Sequence, residues 1–349
     1  KKSGVYTEAG RIDYGPEEVA RCRKQIVDQV VPVIRKLHQQ KKEILGLDHL
    51  YVYDSINFKE GNPKPKGTPE EMVVASREMY REMSPESGEF FDLMVDEELL
   101  DLVNREGKMP GGFCTGFPAY KRPYVFSNFN GTDMDVRILI HEAGHAFQVY
   151  SSRDQPLYDY MWATAETSEI HSMAMEFLTW PWLEKFFGEE ADRYKYMHAA
   201  TSFAFLAYGA CVDHFQHWVF ENHEATPRER KEQWLKLESV YLPTWDYDDL
   251  AFPKAGGAWQ MQLHFYQYPF YYIDYVIAQT CAFQYWIRSE ENPEKTWESY
   301  LKLCQAGGSL HFKQLIELAE LQSPFEEGCL ESIVGKVSAW LDAVDVAKL

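Results

Sequence analysis

The chain has 349 residues, of which 35 are basic and 54 acidic, so its formal net charge at pH 7 is −19. A surface this acidic argues against nucleic acid or an anionic membrane as a partner and favours neutral or cationic ligands. Hydrophobic residues make up 45% of the sequence and aromatic residues 15%, which excludes a disordered chain and allows a large buried core.

Most of the chain is predicted to be helical. Helix-start signals, in which a hydroxyl residue precedes a proline and a glutamate follows, occur at Thr68, Thr226 and Ser323. Proline at position 32 should kink the first long helix. Together with the apolar periodicity, these signals predict helices over 16–44, 69–83, 97–105, 132–150, 168–187, 192–222, 228–240, 269–288, 293–304, 311–321 and 324–344.

Strand signals are confined to two short β-prone segments, 111–115 and 124–127, which are bounded by glycine and proline. We expect them to form a hairpin-like sheet just before the helix at 132–150. The predicted fold class is therefore mainly α, with a small β-sheet next to that helix. No internal repeat or linker divides the sequence, so residues 1–349 are predicted to form a single helical region.

The cysteines are scattered and form no C-x-x-C pair, which predicts reduced, buried thiols in a cytoplasmic protein. No apolar run is long enough to span a bilayer, so no membrane segment is expected. The sequence opens with Lys1 instead of methionine, which favours a fragment of a longer protein.

An H-E-x-x-H pattern begins at His141 and ends at His145, inside the predicted helix 132–150. Histidines four residues apart fall on one face of a helix, which is typical of two imidazole ligands for zinc. Glu142 is then placed to take a proton from a zinc-activated water, and Gly144 permits the close approach of another segment. The alternative is a pair of hydrogen-bonded histidines on an ordinary buried helix.

A catalytic zinc site needs a third protein ligand and an open position for water. Three glutamates, Glu166, Glu169 and Glu176, lie on the next predicted helix. Their spacing does not show whether Glu169 or one of the other two is the third ligand, although Glu176 is expected to lie behind the ligands. A second pair, His214 and His217, also shares a helix face, but no base accompanies it and we interpret it as packing.

The segment 264–275 is rich in tyrosine, and Pro269 is predicted to begin a helix within it. Tyrosines recur there at helical spacing, a pattern more typical of a packed core than of chemistry. Buried phenols must nevertheless find hydrogen-bond partners, so these hydroxyls could instead face a wet cleft. In that position, tyrosines and His264 are suitable donors to the oxyanion formed during amide hydrolysis.

These motifs, in this order, resemble peptidase family M3, close to oligoendopeptidase F and the Pz-peptidases. The resemblance rests on 128–132 leading into 141–145, on 168–172 with Glu176, and on 264–275, and it extends from about residue 45 to about 345. Family members also carry an N-terminal helical region that closes over the cleft. Residues 1–44, predicted as a long helix, would be the remnant of that region.

The resemblance implies a ligand set and a catalytic group. It implies one zinc ion per chain, bound by His141, His145 and Glu169, with Glu142 as general base. It further implies His264, Tyr268 and Tyr275 as transition-state donors, and Tyr272 as a weaker candidate.

The expected function is therefore a zinc-dependent endopeptidase that hydrolyses short peptides. Gly111, Gly112 and Phe113 are predicted to form a strand along which an extended peptide adds main-chain hydrogen bonds. One alternative is a zinc carboxypeptidase or dipeptidase on a similar helical scaffold, which would need a basic group for the terminal carboxylate. Another is a non-catalytic helical binding module whose histidines merely pack.

Overall fold

A computed structural model of the protein describes the backbone of residues 2–346 and 349, with side chains from residue 5 onward. In chain order, helices α1 to α15 are Lys2–Glu8, Pro16–Gln25, Val31–Leu45, Pro69–Met83, Pro85–Asp96, Asp133–Ser151, Ala165–Leu178, Glu184–Phe187, Ala191–Glu221, Pro227–Tyr241, His264–Gln267, Tyr272–Glu291, Pro293–Ala306, Phe312–Leu318 and Cys329–Ala343. Strands β1 to β3 are Leu100–Val103, Phe113–Phe117 and Arg122–Phe129. The predicted fold class, mainly α with a small sheet, is confirmed.

The chain divides into two compact units, which are described separately. Unit 1 consists of Lys1–Gly61, Tyr196–Thr280 and Ser323–Leu349, and unit 2 of Asn62–Lys195 and Cys281–Gln322. All three strands and helix α6 belong to unit 2. That the whole chain forms a single catalytic region stays a prediction.

Two of the three predicted helix starts are confirmed. At the start of α4, the Thr68 hydroxyl accepts from the backbone N–H of Glu71, whose carboxylate accepts from the Thr68 N–H in return. Thr226 begins α10 with the same pair of bonds. The start predicted at Ser323 is wrong, because α15 begins only at Cys329, after turns.

The sheet has the order β1-β3-β2. Strands β2 and β3 are antiparallel, with Thr115 opposite Tyr124, so the predicted hairpin is confirmed. The helix predicted over 97–105 is wrong: β1 lies there and runs parallel to β3, with Leu100 opposite Val125. Pairing with a strand more than twenty residues away overrides the local helical pattern of this segment.

Other helix boundaries also differ from the prediction. The N-terminal region is not one long helix, because α1 ends before Gly10, which has a left-handed φ of 75°, and α2 begins afresh at Pro16. Between α2 and α3, Ile26–Val30 is π-helical, as expected for a disturbance just before Pro32. The helix predicted over 168–187 is interrupted by a 3-10 turn at Trp180–Trp182, which contains a proline.

Each unit has an aromatic core. In unit 2, Phe147 of α6 packs against Phe90 and Trp297, with ring centroids 5.4 and 5.5 Å apart. In unit 1, Phe215 of α9 packs against Trp234 in the same way, at 5.4 Å. The cysteines are thiols, and all but Cys114 are buried, as predicted. No helix in the described part of the chain is both long and apolar enough to cross a membrane.

Candidate metal centre

The H-E-x-x-H pattern lies in the middle of α6. Val136, Ile140 and Phe147 are buried along one face of this helix, which anchors it in unit 2. His141 and His145 lie at the edge of that face, with side chains 21% and 13% exposed, and their ring centroids are 5.1 Å apart. The pair therefore lies at the boundary of the core, where a ligand can reach it.

Helix α7 crosses α6 at Gly144. A Cβ atom at this position would lie only 2.7 Å from the backbone oxygen of His171 and 2.7 Å from the Cα of Ser172. Both neighbours are backbone atoms and cannot rotate away, so the crossing requires glycine. Glu169 lies one turn before Ser172 and is thereby brought next to the two histidines.

His141, His145 and Glu169 form the one group among the described residues whose ligand atoms could hold a metal ion, all within 4.8 Å of one another. The Glu169 Oε2 atom lies 3.3 Å from His141 Nε2 and 3.5 Å from His145 Nε2. Ligands placed about 2.1 Å from a tetrahedral zinc ion are about 3.4 Å apart. The donor set and its spacing therefore fit zinc.

The charges of the group also suit a cation. Burial by itself would raise the pKa of Glu169, but the adjacent His145 and His141 hold it well below its usual range. Burial would lower the pKa of His141, but its bonds with Glu169 and Glu176 raise it well above the usual value. A carboxylate beside two imidazole rings thus suits a cation, which would compete with a proton for the same nitrogen atoms.

Glu176 holds His141 from behind, as the sequence suggested. Its Oε1 atom lies 2.7 Å from His141 Nδ1, while its Oε2 atom accepts a hydrogen bond from Arg137 Nε at 2.8 Å. This carboxylate fixes the ring so that Nε2 faces Glu169. Arg137 was missed in the sequence, although it lies one helical turn before His141 on the same face.

Glu142 is 8% exposed and is not part of the three-residue group. Burial raises its pKa above the ordinary value for a glutamate, and the charges of His141 and His145 act in the opposite direction. The segment before β2 lies beside it, because a Cβ atom added at Gly112 would be 3.7 Å from Glu142 Oε1. Glu142 is therefore placed between the histidine pair and the start of β2.

Only Phe113 of the predicted substrate strand lies in a strand, namely β2 at one edge of the sheet; the prediction is wrong for Gly111 and Gly112, because the left-handed backbone at Gly111 is incompatible with a strand. Gly111 and Gly112 lead into β2, and the ring of Phe113, the first residue of β2, is 38% exposed. Gly111 has a left-handed φ of 103°, and its carbonyl accepts a hydrogen bond from Asn128 Nδ2 at 2.9 Å. This bond holds the approach to the strand in a fixed conformation.

The alternative residues do not join the group. Glu166 is fully buried on α7, but its oxygens are not among the clustered ligand atoms. His214 Nδ1 bonds the Tyr241 hydroxyl at 3.0 Å, and His217 Nε2 bonds the Tyr6 hydroxyl at 3.0 Å. The second histidine pair is therefore used in packing, as interpreted from the sequence.

The tyrosine segment lies in unit 1. His264 is on the one-turn helix α11, and its ring centroid is 6.1 Å from that of Tyr268, 5.0 Å from that of Tyr272 and 6.0 Å from that of Tyr275. The four predicted donors are thus brought together. The helix predicted to begin at Pro269 begins instead at Tyr272, because a turn separates α11 from α12.

Two of these tyrosines differ in their surroundings. Tyr268 is 55% exposed. Tyr272 is buried, and its hydroxyl donates to Gln262 Oε1 at 2.8 Å, while Gln262 Nε2 donates to the Tyr208 hydroxyl at 2.5 Å. Burial raises the pKa of Tyr272 to about 12. Gln262 and Tyr208 were not predicted, because both contacts depend on the tertiary fold.

Comparison with known proteins identifies the family. The sequence model for peptidase family M3 matches residues 5–335, nearly the whole chain. The chain belongs to peptidase family M3. The resemblance noted in the sequence is thereby confirmed.

Several known peptidases are similar to most of this chain. Oligopeptidase PepF of Bacillus subtilis (strain 168) is 22% identical over 329 residues, covering 90% of this chain and 48% of PepF. An oligoendopeptidase F homologue of Borreliella burgdorferi is 24% identical, covering 82% and 49%. A solved structure of Pz peptidase A with an inhibitor is 49% identical, with a TM-score of 0.97, covering 99% and 62%. The chain therefore spans about half the length of the curated relatives.

Proposed function

We propose that this M3 family chain carries the active site of a zinc-dependent endopeptidase that hydrolyses short peptides. The observation that carries the proposal is the group of His141, His145 and Glu169 beside the buried Glu142. Similarity to oligopeptidases supports the same reaction, since those relatives match this chain over most of its length.

We assign one zinc ion to His141, His145 and Glu169. When bound, zinc would lower the pKa of a water molecule from about 15.7 towards 7 and polarise the scissile carbonyl. Glu142 then takes the proton of the attacking water and delivers it to the leaving amine. Glu142 suits this exchange because it lies beside the histidine pair without being part of the ligand group.

The remaining proposed residues bind and orient the peptide. An extended substrate adds main-chain hydrogen bonds along Gly111, Gly112 and Phe113 at the edge of the sheet. His264, Tyr268 and Tyr275 donate hydrogen bonds to the developing oxyanion; each such donor typically contributes about 2.7–4 kcal/mol. Tyr272 is a weaker candidate, since its hydroxyl already donates to Gln262. The net charge of −19 favours neutral or cationic peptides.

Glu142→Gln tests the proposal. We expect zinc to remain bound at close to one equivalent, because Glu142 is not a ligand, while kcat falls by about 10²–10⁴-fold. Glu86→Gln, an exposed substitution in the same unit, is the matched control and should leave both unchanged. Persistent hydrolysis by Glu142→Gln would show that the base is another group.

A peptide blocked at both ends distinguishes internal from terminal cleavage. The proposed endopeptidase cleaves it, whereas a carboxypeptidase or dipeptidase does not. Zinc below about half an equivalent in purified protein would instead favour a non-catalytic role. We also propose a cytoplasmic location, supported by buried thiols, and that residues 1–349 form a single catalytic region.

A further inference from the structure

The turn between α11 and α12 contains a backbone conformation that bulky residues seldom adopt. Phe270 has a φ of 64°, in the left-handed region, where a Cβ atom crowds the neighbouring carbonyl. Such conformations persist only where the surroundings enforce them, and they are frequent at functional sites. Here the turn joins the two helices that carry His264 and Tyr275.

The side chain of Phe270 is firmly packed. It is fully buried, and its ring lies 4.7 Å from that of His217, 4.8 Å from that of Phe220 and 5.5 Å from that of Tyr6, between centroids. These partners come from α1 and α9. The strained residue is therefore anchored in the core of unit 1.

Both backbone polar groups of Phe270 are bound by buried side chains. The N–H of Phe270 donates to Gln216 Oε1 at 2.9 Å, and its carbonyl accepts from Arg11 Nη2 at 2.6 Å. Arg11 and Gln216 are each only 3% exposed. Loss of either partner would leave a buried peptide group without its hydrogen bond, which is costly.

Arg11 makes a second bond that fixes the start of α12. The same Nη2 atom lies 2.6 Å from Asp274 Oδ1, and the two side chains are 1% and 2% exposed. Arg11 thus holds the turn and the first turn of α12 together. The planar guanidinium suits such a shared contact better than an ammonium group, which is a single charged point.

The turn determines how the residues on its two sides meet. His264 and Tyr268 precede Phe270, while Tyr271 and Tyr275 follow it. Ring contacts cross the turn: His264 to Tyr271 at 5.9 Å and Tyr268 to Tyr271 at 6.1 Å, between centroids. If Phe270 relaxed to a negative φ, the direction of α11 relative to α12 would change, and these ring contacts would change with it.

We infer that Arg11 and Gln216 are positioning residues for the proposed hydrolysis. They hold Phe270 in its left-handed conformation and thereby set His264 and Tyr268 against Tyr275. The inference rests on the proposed function, in which these aromatic residues donate to the oxyanion. Neither Arg11 nor Gln216 needs to touch the substrate, so both act through the turn.

Gln216→Met provides the cleanest test, because it keeps the length of the side chain and removes the acceptor for the Phe270 N–H. We expect kcat to fall about tenfold or more with KM nearly unchanged and full zinc content, since misplaced donors weaken only the transition state. Gln216→Glu retains an acceptor oxygen and should recover most of the kcat. Arg11→Met should resemble Gln216→Met.

Arg23→Met is the matched control. Arg23 forms another buried ion pair of unit 1, with Asp213, and among the described residues it bonds neither Phe270 nor Asp274. The Arg23→Met variant should have a lower thermal stability than the wild type, but its kcat should stay within about twofold of the wild-type value. All kcat values are measured at a temperature at which circular dichroism shows every variant to be folded.

Two results would overturn the inference. One is a kcat for Gln216→Met no lower than that of Arg23→Met, and the other is a loss confined to KM. If Arg11→Met does not fold, the Gln216 pair of variants decides alone. Absence of peptide hydrolysis by the zinc-loaded wild-type chain would refute the proposed function itself, and this inference with it.

Discussion

The crossing of α6 and α7 offers a perturbation whose size can be estimated from the structure. In Gly144→Ala, the new Cβ would lie 2.7 Å from two backbone atoms, whereas ordinary contacts begin at about 3.4 Å. The helices must therefore separate by roughly 0.7 Å. Overpacking of this kind costs about 3 kcal/mol at the upper end, while alanine regains about 1 kcal/mol of helix propensity. We expect a net loss of about 2 kcal/mol.

Gly335→Ala measures the gain in helix propensity from glycine to alanine without the steric clash. Gly335 lies in α15 with open space where a Cβ would go, so this variant should be more stable than wild type by about 1 kcal/mol. The two variants should then differ by about 3 kcal/mol in urea unfolding of the metal-free protein.

The same separation should disturb metal binding. Glu169 moves with α7, whereas His141 and His145 move with α6, and metal–ligand distances tolerate only about 0.2 Å. We expect zinc affinity, measured in competition with a chromophoric chelator, to fall about 10–100-fold. A loss of this size is typical when residues that support the metal ligands are mutated. If Gly144→Ala is as stable as Gly335→Ala and binds zinc as tightly as wild type, the reasoning about the crossing is wrong.

Three further predictions concern single side chains. Glu176→Gln loses the charge that pairs with Arg137, so chelator competition should show zinc affinity about 10–100-fold weaker; unchanged affinity would contradict its role. Tyr272→Phe leaves half-buried Gln262 without its donor and should cost about 0.5–1.5 kcal/mol in urea unfolding, while kcat falls by less than the roughly 10²-fold expected of an oxyanion donor. Burial raises the pKa of Glu238 in the folded protein, so the folded form binds this proton more tightly than the unfolded form. Its contribution to stability is therefore greatest below the ordinary pKa of 4.5 and falls as the pH rises through the raised pKa. Urea unfolding at several pH values should show that Glu238→Gln lacks this decline. If the stability of the variant and of the wild type changed equally with pH, the raised pKa would not belong to Glu238.

The sequence by itself determined the features that depend on neighbouring residues. Helix geometry places residues four apart on one face, so the alignment of His141 with His145 followed directly from their spacing. The capping signals at Thr68 and Thr226 are also local, because the bonds that begin a helix span only three residues. Family membership could likewise be recognised from the sequence, since it rests on short motifs in a fixed order.

Only the tertiary structure decided the contacts between segments distant in the chain. Glu166 and Glu169 are equally plausible ligands in the sequence, and the crossing at Gly144 determines which of them reaches the histidines. The same holds for β1, whose strand conformation depends on pairing with β3, and for Phe270, whose backbone is held by Arg11. The physical reason is the same in each case: local propensities differ by about 1 kcal/mol, and a few long-range bonds or a close backbone contact outweigh them.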